Sequence, residues 1–275
     1  YGIRASNYYG DGVLSITTAD AIVGTDNFGI YALNSGTDLT IDATGSVTGG
    51  DYGIKATNYG DGVLSITTAD AIVGTRYDGI YAYNSGTDLT IDATGAVTGG
   101  DIGIRASNYG DGVLSITTAD AIIGTDAFGI VANNSGTDLT IDATGSVTGG
   151  VFGIKAGNDG DGVLSITTAD AIVGTQSFGI HAYNSGTDLT IDATGSVTGG
   201  VFGILANNSG TDLTIDATGA VTGGGYGIQA DNYGDGVLSI TTGGAIVGTQ
   251  TFGIIANNSG TDLTIDATGA VTGGV

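Results

Sequence analysis

Chemistry in this chain has to come from very few kinds of side chain: one His, no Cys, five Lys or Arg, and 28 acidic residues, all of them Asp. His181 has no second His and no nucleophile motif beside it, and the Ser residues recur as repeat elements, so no triad can be assembled. His181 is therefore read as a surface substitution. Paired carboxylates are the other catalytic option. Asp38 and Asp42 flank an inward Ile, but the pair returns six times, whereas a catalytic pair is usually unique. No Gly-Lys-Ser/Thr occurs, so no phosphate loop is present. The reading is a protein without catalysis and without a cofactor.

Two binding chemistries remain. Asp-Gly and Gly-Thr-Asp turns offer carboxylate and carbonyl oxygens to calcium, although the Gly-Gly-x-Gly-x-Asp nonapeptide is absent. The second is a column of variable residues: Arg4, Tyr31, Lys55, Tyr81, Arg105, Val131, Lys155, His181, Leu205, Gln229 and Ile255. It holds four of the five cations of a chain with net charge −23. Cations interleaved with Tyr allow cation-π contacts and form the one basic stripe on an acidic molecule. Arg4, Tyr31, Lys55, Tyr81, Arg105, Lys155 and His181 are thus the candidate ligand-binding residues, for an acidic glycan or a protein surface. Nucleic acid and anionic lipid are excluded as partners by charge.

These columns exist because the chain is a repeat. The segment Gly-Ile-x-Ala-x-Asn begins at Gly2, Gly29, Gly53, Gly79, Gly103, Gly129, Gly153, Gly179, Gly203, Gly227 and Gly253. Long units of 26 or 27 residues alternate with short units of 24, except that the short units at Gly179 and Gly203 are adjacent. Each unit holds three short alternating apolar stretches, such as Ile54 and Ala56, then Leu64 and Ile66, then Ile72, separated by Gly, Asn, Asp and Thr. No helical stripe links them, so parallel strands must be joined by the coil winding round. The expected fold is all-β: a right-handed parallel β-helix, or β-solenoid, of eleven coils and three strands per coil, with residues 1–275 forming one array about 50 Å long. The absence of Pro suits strands paired on both edges. No coil can fold alone, and with no polar capping unit at either end the array reads as an excerpt of a longer one.

Superposing the units predicts an inward Asn ladder of Asn7, Asn34, Asn58, Asn84, Asn108, Asn134, Asn158, Asn184, Asn208, Asn232 and Asn258, passing amide hydrogen bonds up the stack. The aromatic residue before each starting Gly, such as Phe28 or Tyr52, lies two positions from an inward Ile, and strict alternation places ring and Ile on one face. Asp78 and Ile102 interrupt that column. Alternation of unit types keeps equivalent Asp residues two coils apart, except where short units adjoin. There Asp188 sits beneath Asp212 and Asp192 beneath Asp216, the first place to look for a bound cation.

Coils of the form Gly-Ile-x-Ala-x-Asn, Gly-x-Leu-Thr/Ser-Ile and Gly-x-Val-x-Gly, seen well between Gly29 and Gly50, resemble the passenger domains of bacterial autotransporters and related haemagglutinin-like surface β-helices. The resemblance spans the chain. It implies display outside the bacterial outer membrane by a C-terminal translocator barrel, and adhesion or aggregation as the role. The barrel, a signal peptide and large loops between coils are not found here, and no stretch of about 18 apolar residues would insert in a membrane. The expected function is an extracellular adhesin or its stalk, partnered by a host or neighbouring-cell protein or glycan, or by itself. The alternative is a structural fibre that assembles by coil stacking or lateral contact. Ice binding is disfavoured because Ser15 and Thr17 alternate with Thr40 and Asp42. A polysaccharide-cleaving enzyme would need a cleft that near-identical coils do not supply.

Overall fold

A computed structural model describes residues 1–274. Among them are 33 strands and no helix. They form three parallel eleven-stranded sheets, called A, B and C here, each taking one strand from every coil in order. One coil shows the plan: β4 (Phe28–Asn34) lies in sheet A, β5 (Leu39–Ala43) in sheet B and β6 (Val47–Gly49) in sheet C. The β-solenoid read from the repeat is the fold.

Alternation within each strand builds the core. In this coil Ile30, Ala32, Leu39, Ile41, Ala43 and Val47 are fully buried, and their counterparts in other inner coils match them. The register stacks like on like, Ile30 on Ile54 and Leu39 on Leu64, so the core is a set of continuous aliphatic columns. In the last coil described, Leu263, Ile265 and Val271 are exposed.

The glycines act through space rather than handedness. Among the described residues no glycine has a positive φ. A Cβ on Gly49 would instead run into the Tyr52 carbonyl, and one on Gly110 into the Gly86 carbonyl of the preceding coil. Only Gly lets the backbone pack so closely at the corners.

The Asn ladder is formed as expected. Ten links run from each Asn Nδ2 to the Oδ1 of the next coil's Asn at 2.9–3.1 Å, all in one direction. The nine inner members are buried; Asn7 and Asn258 are half-buried. The same Nδ2 also donates to the turn carbonyl four residues on, at 3.0 Å from Asn134 to Asp138. Aligned amide dipoles polarise one another, so the ladder is worth more than isolated bonds.

A candidate docking face on sheet A

The aromatic column lies elsewhere than strict alternation predicts. At the corner between sheets C and A, Gly29 and Ile30 are both buried in succession, and a Cβ on Gly29 would strike the Val47 side chain. Two consecutive inward positions reset the alternation. Phe28 therefore falls outside the core, half-buried, on the same side as Tyr31, with ring centroids 5.1 Å apart. The rings stack along the rod: Tyr1 to Phe28 at 5.3 Å, Phe28 to Tyr52 at 5.3 Å, and from Phe128 through Phe152, Phe178 and Phe202 to Tyr226 at 4.7–5.1 Å.

This places rings and the variable column on one surface. Lys55 holds its ammonium 5.0 Å from the Tyr52 centroid, 5.1 Å from Tyr81 and 5.8 Å from Phe28. Arg4 lies over Tyr31 at 5.6 Å and Lys155 over Phe128 at 5.9 Å. These contacts fix the cations without neutralising them: among the described residues none of the three makes an ion pair. Burial raises the Tyr31, Tyr52 and Tyr81 hydroxyls above the ordinary phenol range.

Two residues of the column behave differently. Arg105 donates from Nε to Asp78 at 2.8 Å, with Asp101 at 3.9 Å, so its charge is committed within the chain. Asp78 and Ile102, at the break in the aromatic column, are 2 % and 1 % exposed, and the strands there shorten to β10 (Ile80–Asn84) and β13 (Ile104–Asn108). Burial pushes the Asp78 carboxyl above the usual range despite the arginine. His181 is packed rather than a free surface substitution. Its ring stacks on Phe178 at 5.0 Å and Phe152 at 6.0 Å, and its Nδ1 is buried without a partner. Burial, and then the Lys155 charge, lowers its pKa.

A second ring series lies two residues beyond the variable column, where the sequence also places Tyr83 and Tyr183: half-buried Tyr83 sits between the exposed Tyr59 and Tyr109, with centroids at 5.7 and 5.4 Å. Its signal was present, since Tyr83 and the turn tyrosines lie one coil apart across the same corner.

The stacked carboxylates have backbone roles. Asp38, Asp88 and Asp138 each accept the amide of the residue preceding the next coil's Leu, at 2.9–3.0 Å from Val63, Val113 and Val163. At the junction of short coils Asp188 accepts from the Asp212 amide at 3.1 Å and from the Thr211 hydroxyl, while Asp212 accepts from the Val237 amide at 2.7 Å. Both carboxylates of this junction thus accept backbone amides of the following coil. Asp192 and Asp216 are register partners, and Asp216 Oδ1 is buried without a partner. No three His or Asp side chains converge as a metal site among the described residues.

No protein-family model, curated protein or solved structure matches the chain.

Proposed function

We propose that this chain is a non-catalytic rod displayed outside a bacterial cell, an adhesin or the stalk of one, that docks partners along the outer face of sheet A. The observation that carries the reading is that stacked rings and unpaired cations share that face. Two runs of stacked rings, Tyr1 to Tyr52 and Phe128 to Tyr226, lie beside the unpaired Arg4, Lys55 and Lys155 on an otherwise acidic molecule, and Tyr and Arg are among the side chains most enriched in binding hot spots. Aromatic stacking holds Lys55 and Arg4 in place before a partner arrives, which lowers the ordering cost of binding. The resemblance to autotransporter passenger coils supports the same location and role.

The test is binding of the 275-residue rod to an array of host-matrix proteins and glycans, beside a variant with Arg4→Ser, Lys55→Ser and Lys155→Ser. Selective binding that falls at least tenfold in the variant supports the reading. Binding unchanged by the substitutions, or none to any surface, refutes it.

A further inference from the structure

The two broad faces of the rod carry complementary charge at one pitch. On sheet A the central outward column bears its cations in long coils only: Arg4, Lys55, Arg105 and Lys155, every second coil, about 9.6 Å apart at two strand spacings. The intervening positions are Tyr31, Tyr81 and Val131. Two acids of this face are buried and bonded within the chain: Asp78 is 2 % exposed and pairs with Arg105 at 2.8 Å, and Asp231 is 5 % exposed and accepts bonds from Gln229 at 2.8 Å and Asn257 at 2.6 Å.

Sheet B presents the inverse pattern. Its outward column reads Thr17, Asp42, Thr67, Asp92, Thr117, Asp142, Thr167, Asp192 along consecutive register partners. The acids lie in short coils only, again every second coil. Among the described residues no cation forms an ion pair with Asp42, Asp92, Asp142 or Asp192. The chain therefore holds two sets of largely unpaired charges of opposite sign, on different faces, with the same spacing and a phase difference of one coil.

We infer that the partner of the sheet A face is sheet B of a second copy, with the two rods side by side and shifted by one coil. This rests on sheet A being a docking face and adds what it docks. In that register Arg4, Lys55, Arg105 and Lys155 meet Asp42, Asp92, Asp142 and Asp192, while Tyr31 and Tyr81 meet Thr67 and Thr117. The overlap is ten coils, about 48 Å, and a five-residue strand is about 17 Å wide, so each copy contributes about 800 Å², the share of a standard specific interface. Because a used face differs from the face it binds, each docked copy leaves one A and one B face free. The assembly is heterologous and open, growing into rafts of parallel rods rather than closing as a dimer. The net charge of −23 opposes this at very low salt, and screening within about 8 Å near 0.15 M relieves the long-range repulsion while contact pairs persist.

The experiment follows sedimentation velocity and electron microscopy of the 275-residue chain at 0.15 M and 1 M salt. One variant inverts face A (Lys55→Asp with Lys155→Asp) and another inverts face B (Asp92→Lys with Asp142→Lys). A third, Asp11→Lys with Asp61→Lys, changes charge in a turn outside both faces. Wild type and the turn variant should form concentration-dependent rafts at 0.15 M that dissociate at 1 M. Each face variant alone should sediment at least tenfold more weakly associated. An equimolar mixture of the two face variants should give dimers and no rafts, because each supplies the one intact face the other lacks, and this also shows both are folded. A monomeric wild type at all concentrations overturns the inference, and so does a face B variant that still dimerises, which would mean A against A. If wild type is monomeric yet still binds the host array, the partner assigned here fails and the docking face stands; if it does neither, both fail.

Discussion

Replacing Asn134 by Ala tests whether the ladder is a cooperative spine or a series of separable caps. The side chain donates to Asn158 Oδ1 at 3.0 Å and to the Asp138 carbonyl at 3.0 Å, and accepts from Asn108 Nδ2 at 3.1 Å. Asp138 keeps another donor, the Leu114 amide at 2.9 Å. Two buried amides, on Asn108 and Asn158, each lose a partner where water cannot follow, at about 1–3 kcal/mol apiece, so the total is about 3–5 kcal/mol with the small cavity included. Asn7 is half-buried at the first coil and its partner Asn34 Oδ1 keeps the Gly36 amide at 3.2 Å, so Asn7→Ala should cost about 1 kcal/mol. Repeat arrays need not unfold in one step, so the assay is native-state hydrogen exchange, read as the opening free energy of amides in residues 128–145. A loss below about 1 kcal/mol at Asn134, or equal losses at the two sites, would refute the spine.

Four further outcomes are expected. Arg105→Ala leaves the buried Asp78 carboxylate without its cation and should cost about 2–3 kcal/mol in urea unfolding, less than a fully buried pair because the arginine is a third exposed; Asp78→Asn should cost less. Since burial raises the Asp78 pKa in the folded state, its protonated form favours folding: the difference between wild type and Asp78→Asn should shift in favour of wild type as pH falls from neutral through the raised value, in full below about 3.8, and a flat difference would contradict this. For His181 the sign is opposite. Its folded pKa is lowered, so its contribution is full above about 6.5 and lost as pH falls through the folded value, and His181→Phe should remove that acid sensitivity in thermal unfolding. Finally, the Thr118 hydroxyl is buried with no partner between Ala93 and Ala143, so Thr118→Val should leave stability unchanged or raise it by about 1 kcal/mol in urea unfolding; a loss above that would mean the hydroxyl is satisfied.

Much of this was legible because a solenoid turns sequence period into spatial columns. Once Gly-Ile-x-Ala-x-Asn is aligned, Asn58 must lie under Asn84 and Leu64 under Leu89, and the structure holds both pairs in register. The failures occur where the backbone leaves the pleat. Period-two reasoning places Phe28 with Ile30, but the buried Gly29 adds one inward position at the corner and turns the ring outward. The burial of Asp78 and Ile102 also escapes pattern reading: aligned with Phe28 they look like an interruption, and only the shortened strands and the Arg105 contact reveal an ion pair in the gap. Asp38 and its counterparts read as paired acids or calcium ligands because a carboxylate accepting an amide from the next coil has the same sequence signature.

The alternation of long and short coils explains how so acidic a rod stacks at all. Two carboxylates one strand spacing apart repel by about 1 kcal/mol in water; at two spacings the Coulomb energy halves and screening at 0.15 M cuts it to roughly 0.1 kcal/mol. Interposing Thr67 between Asp42 and Asp92 therefore removes most of the cost at each step of sheet B. The junction of two short coils forfeits that protection, since Asp192 meets Asp216 directly and Asp216 Oδ1 is left buried and unpaired. The same alternation that spaces the acids on sheet B spaces the cations on sheet A, because each charge belongs to one unit type. Charge complementarity between the faces is thus a consequence of a two-unit repeat, and a chain of short units alone would have neither separated acids nor a matching basic column.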